Sequence, residues 1–182
     1  MKKGKTLILL IVVMIAFVLI YFKMAQKNVA SDEVEETATQ EAVLQIKQAD
    51  VTAVCFSLEG KPVTFKKVEN TWVVDGDENF EVNQSELNSK LSTLLEMTSA
   101  RTLENVESLD EYGLKQPMQT VEITLQDGTM ETVYFGDIND STANSYVYLE
   151  SDPTKVYTVI YSVERAFEGE LEAYRATTET EE

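Results

Sequence analysis

The stretch Asp137-Ile138-Asn139-Asp140-Ser141 sets oxygen-bearing side chains at alternate positions, the pattern from which calcium loops are built. An EF-hand loop counted from Asp137 needs glycine at its sixth position and a bidentate glutamate at its twelfth, where this chain has Thr142 and Tyr148. Without that carboxylate the stretch reads as a solvated loop, and no metal ligand is assigned. The chain contains no histidine and a single cysteine, Cys55. A lone thiol cannot close an intramolecular disulfide, and without a neighbouring base it is a poor nucleophile. Cys55 lies in a run of strand-forming residues and is expected in the core as a small hydrophobe. Its 32 Asp and Glu offer many carboxylate pairs for glycoside chemistry, but spacing singles out none of them. There is no G-x-S-x-G elbow, no glycine-rich phosphate loop and no Cys/His metal spacing. No catalytic or cofactor-binding residue is therefore assigned, no cofactor is expected, and the chain is not expected to be an enzyme.

The elements that would carry these residues form an α+β pattern. Residues 51–58, a turn at Glu59-Gly60-Lys61 and residues 62–68 read as a hairpin, with a third strand over residues 71–74. Trp72 on that strand reads as a core aromatic. Asn83 is a candidate N-cap with Glu86 three positions on, a capping-box spacing. Asn83 also opens an Asn-x-Ser glycosylation pattern, as Asn139 does, but the cap explains it better. Leu87, Leu91, Leu94 and Leu95 follow at helical spacing, so one leucine face should pack on a sheet. A short extended piece follows over residues 100–103.

Residues 104–114 carry a sharper local signal. Gly113 can take the left-handed conformation that ends a helix, Leu114 can then fold back on Leu109, and Pro117 prevents the helix from resuming. Residues 120–126 and 129–135 flank Asp127-Gly128, a strong hairpin turn. Residues 145–149 and 156–160 add two strands. A last helix is expected from Ser162 as N-cap, with Val163, Ala166, Phe167, Leu171 and Tyr174 on one stripe. Strands followed by a helix thus occur twice, over residues 44–99 and 118–175. That order suggests two similar halves sharing antiparallel sheets, with two main helices.

Ahead of this domain lies an apolar run of sixteen residues, from Leu7 to Phe22, preceded by Lys2, Lys3 and Lys5 and followed by Lys23 and Lys27. Sixteen helical residues cover about 24 Å, and flanking lysines that extend to the headgroups complete a span of roughly 30 Å. The run is long for a signal peptide, and the best small-x-small site, Val29-Ala30-Ser31, lies far beyond it. Residues 1–27 are therefore read as an uncleaved single-pass anchor in the lipid bilayer. The lysine excess before the span orients the N-terminus to the cytoplasm. Residues 28–43, acidic and without apolar periodicity, read as a disordered stalk. Residues 44–175 read as one extracytoplasmic domain and residues 176–182 as a disordered acidic tail.

Charge narrows the partners. Five of the fifteen Lys and Arg, and no Asp or Glu, lie in residues 1–27, which leaves a formal charge of −22 on residues 28–182. Nucleic acid is excluded as a partner, because binding phosphates needs clustered cations. Anionic headgroups repel the domain for the same reason.

From about Gln48 to Arg175 the chain resembles the bacterial domain-of-unknown-function family 4340. The residues that carry the resemblance are Trp72-Val73-Val74, Glu104-Asn105 through Leu109, Glu111-Tyr112-Gly113-Leu114 and Pro117. Phe135-Gly136-Asp137, Tyr146-Val147-Tyr148-Leu149 and Val156-Tyr157 continue it in order. The resemblance implies an extracytoplasmic α+β domain, often encoded beside ABC-type transport components, and implies no catalytic residues. Two readings stand. One is a membrane-anchored binding or accessory module serving a membrane or envelope protein. The other is a carboxylate-dependent envelope enzyme acting on glycans, which would require a cleft pairing two acidic side chains. On the lysine distribution, protease added to intact protoplasts should digest residues 28–182 while the N-terminus stays protected. A soluble form starting near Asp32 would contradict an uncleaved anchor.

Overall fold

The structure is a computed structural model and describes residues 40–177. The proposed anchor, most of the proposed stalk and the last residues of the tail lie outside the described residues. Among the described residues no helix is long and apolar enough to cross a membrane.

The described chain opens with β1 (Glu41–Ala42) and a 3-10 turn (Gln48–Asp50), followed by β2 (Val51–Leu58), β3 (Lys61–Val68) and β4 (Thr71–Val74). Then come helix α1 (Gln84–Leu95), β5 (Thr98–Ser99) and β6 (Arg101–Glu104). After a 3-10 turn (Asp110–Tyr112), the chain forms β7 (Gln119–Leu125), β8 (Met130–Asn139), β9 (Asn144–Leu149) and β10 (Asp152–Ile160). It closes with the short helix α2 (Ser162–Arg165) and a 3-10 turn (Leu171–Tyr174). Eight strands form one sheet in the order β4-β3-β2-β7-β8-β9-β10-β6, antiparallel throughout, and β1 pairs with β5. The fold is α+β, as the alternation of strand and helix patterns predicts.

Local chemistry sets the hairpins. Glu59 and Gly60 both take positive φ, as do Glu69 and Asn70, so both tight turns match the right-handed twist of their strands. At Asp127-Gly128 the Asp127 carboxylate accepts from the backbone N–H and the hydroxyl of Thr129. These bonds, the hydroxyl's foremost, hold its carboxyl below the ordinary aspartate value. The two meanders, β2–β4 and β7–β10, join where β2 pairs with β7, with Phe56 opposite Val121 and Val54 opposite Ile123.

One face of the sheet carries the core. Val54, Phe56, Val121, Val133 and Val147 point to that face and meet Leu87, Leu91 and Leu94 of α1. The Asn83 side chain accepts from the Glu86 N–H at 3.1 Å, as the cap signature predicts. The reciprocal half of a capping box is absent, because the Asn83 N–H donates instead to the Tyr174 carbonyl at 2.7 Å. That bond ties the C-terminal segment to the start of α1.

Three expectations change. Val43 and Leu44 are buried and Glu41 pairs with Ser99, so the ordered domain begins inside the stretch read as stalk. Two adjacent apolar residues are too few to show a period, and their burial comes from the contact with β5. The last helix is one turn long, with Tyr161 rather than Ser162 at its N-cap. Gly169 at φ +117° breaks it, and the stripe resumes as a 3-10 turn. Val163, Phe167 and Tyr174 are nevertheless buried, so the apolar spacing located the core while mistaking the backbone. Finally, Cys55 is not a core residue. Strand alternation turns Val54 and Phe56 inward, and half-buried Cys55 faces the other way, opposite Thr64 and Glu122.

Candidate functional site

Strand β6 lies at one edge of the sheet and β7 near its middle, so residues 105–118 must pass β10, β9 and β8. They do so on the face opposite the core. Leu114 (5 % exposed) and Val156 (0 % exposed) are buried without joining the core cluster. Val156 neighbours the inward-facing Tyr157 on β10, so it points to the outer face.

This strap is shaped by the helix-ending motif read from the sequence. Gly113 sits at φ +68°, its N–H donates to the Asp110 carbonyl at 3.3 Å, and the Leu114 N–H donates to the Leu109 carbonyl at 3.0 Å. These are the two bonds of a Schellman ending. The turn they close is 3-10 rather than α, because only the three residues Asp110–Tyr112 precede the stop.

A second glycine receives it. Gly136 lies where β8 and β9 slip register, between Phe135 and Ile138. A Cβ on Gly136 would overlap the Tyr112 carbonyl and come within 2.9 Å of Leu114 Cγ. A Cβ on Gly113 would overlap the Asp137 carboxylate and come within 2.7 Å of the Asp137 backbone nitrogen. The two strap-and-strand motifs, Tyr112-Gly113-Leu114 and Phe135-Gly136-Asp137, thus clasp backbone to backbone. Tyr112 packs on Tyr146 with ring centroids 4.9 Å apart, and Asn139 Nδ2 donates to the Tyr146 hydroxyl at 2.9 Å. The Met118 N–H donates to the Phe135 carbonyl at 2.8 Å as the strap enters β7.

Chemically the clasp offers phenols, an amide and the carboxylate of Asp137, a set suited to recognition and packing. Asp137 and Asp140 do not converge with other ligands. Among the described residues, no three His, Cys, Asp or Glu are placed to hold a metal ion. The supposed loop is shorter than expected, because β8 runs on to Asn139 and the Asn139 carbonyl side chain accepts from the Ser141 N–H at 3.0 Å. Trp72 is buried as expected, with its Nε1–H donating to Asn88 Oδ1 at 2.9 Å and Lys67 Nζ lying 4.8 Å from its ring centre.

Three residues escaped the sequence reading. Gln84 donates to the Trp72 carbonyl and accepts from the Trp72 N–H, so a side-chain amide stands in for a ninth strand at the β4 edge. Such edge protection discourages pairing with another chain. Gln119, buried, bonds both backbone groups of Ser57 and the Phe167 carbonyl, joining β2, β7 and the C-terminal segment. Glu164 is a carboxyl with 1 % exposure, accepting from the Ser145 hydroxyl. Burial, above all, pushes its pKa up. Gly136 was missed as well, because the strand was expected to end at Phe135; a glycine inside a strand marks a close backbone approach.

The family model for a domain of unknown function (DUF4340) matches residues 72–181, more than half the chain, and the chain belongs to that family. The match takes in both halves of the clasp. No curated protein and no solved structure matches the chain.

The clasp makes a quantitative prediction. Gly60 also has positive φ but open space around it, so Gly60→Ala should cost only the conformational penalty, about 1 kcal/mol. Gly113→Ala adds a backbone overlap and should cost on the order of 2–4 kcal/mol in denaturant melts. Equal losses for the two variants would show that the strap does not bear on β8 as described.

Proposed function

We propose that the protein is a single-pass, membrane-anchored accessory module whose extracytoplasmic domain docks a membrane or envelope protein, such as an ABC-type transport component. The observation that carries this reading is the outer face of β3, β2, β7 and β8. Among the described residues, the strap covers that side of the sheet from β10 to β8 and leaves the rest bare. Half-buried Thr64, Cys55, Thr124 and Tyr134, with exposed Lys66 and Glu122, make a broad surface of mixed polar character there. The apolar run with its lysines and the acidic charge of residues 28–182 support presentation outside the cytoplasm. The rival enzyme reading needs an accessible carboxyl with a raised pKa paired with a second one. The carboxyl held high among the described residues, Glu164, is buried and bonded to Ser145 of β9.

The test is capture of partners by the tagged full-length chain from its native membrane. A copurifying membrane protein should be lost with Glu122→Arg, at the centre of the bare face, and retained with Glu78→Arg, exposed elsewhere. Equal capture by both variants would remove that face from the account. Glycan hydrolysis by the purified full-length chain would favour the rival reading.

A further inference from the structure

Glu164 is the one described carboxyl fully enclosed in the fold, and the partner-docking reading does not use it. It sits on α2, where its Oε2 accepts from the hydroxyl of Ser145 on β9 at 2.5 Å, and Ser145 itself is 0 % exposed. Among the described residues no cation answers it. Lys90, which reaches this segment from α1, is held by the Ala166 carbonyl at 2.7 Å and by the Glu86 carboxylate at 3.3 Å. Arg165 turns to Glu168 at 3.7 Å. From β9 the tyrosines Tyr146 and Tyr148 point to the opposite face, and β10 presents Val159 opposite Ser145. Glu168, on Glu164's own segment, is a like charge that disfavours ionisation further.

A buried carboxylate with one hydroxyl partner and no counter-ion is an expensive state, whereas the protonated acid in the same place is not. The segment it belongs to is held to the domain by few other polar bonds, through Gln119, Lys90 and Asn83. We propose that Glu164 is a proton-operated latch, which when protonated holds the segment from α2 to Tyr174 against β9 and when ionised loosens it. The sign follows from burial. Because the folded state binds the proton more tightly than the unfolded chain, the stabilisation is complete below the unfolded glutamate value, about 4.3, and is lost as pH rises through the folded value.

The full-length chain tests this through thermal melts followed by its single tryptophan, Trp72, between about pH 5 and about pH 8. Glu164→Gln keeps the shape without the charge, so its midpoint should fall less with rising pH than that of the unaltered chain. Ser145→Ala removes the one bond among the described residues that favours the ionised form, so its midpoint should fall more steeply. Glu78→Gln removes an exposed carboxylate and controls for net charge, and its slope should match the unaltered chain. Hydrogen exchange of the amides of residues 163–174 should report the loosening in the unaltered chain, and Glu164→Gln should suppress it. Parallel slopes for all four proteins, or slopes in which Glu78→Gln acts as Glu164→Gln does, would overturn the latch.

Discussion

Strand β6 pairs with β10 and not with a neighbour in sequence, and that placement obliges the chain to cross the sheet twice. Leaving β4 at one edge, the chain must reach the other edge, roughly 34 Å away at 4.8 Å per strand. Helix α1 lies in that connection and brings the leucine face that the core needs. Returning from β6 to β7 in the middle, the chain has no room on the core side and crosses the outer face as the strap. Much of what distinguishes this domain follows from those two passages, including which half of the outer face the strap covers.

The strap has little apolar surface with which to hold itself down, since among its described residues Leu114 is the buried hydrophobic one. Backbone proximity compensates. A left-handed glycine on the strap and a glycine at a register slip on β8 let two main chains approach more closely than any Cβ permits. That is the physical content of the Tyr-Gly-Leu and Phe-Gly-Asp motifs, which look unrelated along the sequence and are one contact in space.

What could be read from the sequence was local. The turns at Glu59-Gly60 and Asp127-Gly128, the cap at Asn83 and the stop at Gly113 depend on a few adjacent residues, and the structure has them all. What could not be read depends on distant partners. Cys55 looked buried because every neighbour in its run is compatible with a core, and only the alternation of β2 assigns it to the outer face. Glu164 stands between Val163 and Phe167 with nothing to mark it as enclosed, because its burial comes from β9. The break at Gly169 went unseen because the apolar stripe continues through it. The sequence supplied no site residues, and the clasp emerged only once β8 and the strap were placed together.

If the strap is an integral layer clasped through its backbone, its amides must be protected with the sheet. Native-state hydrogen exchange of the full-length chain measures this at Leu114, bonded to Leu109, and at Met118, bonded to Phe135. Protection at both positions should be comparable to that of Val133 on β8. Exchange at the rate of an open loop while Val133 stays protected would contradict it, and would make the strap a loose covering.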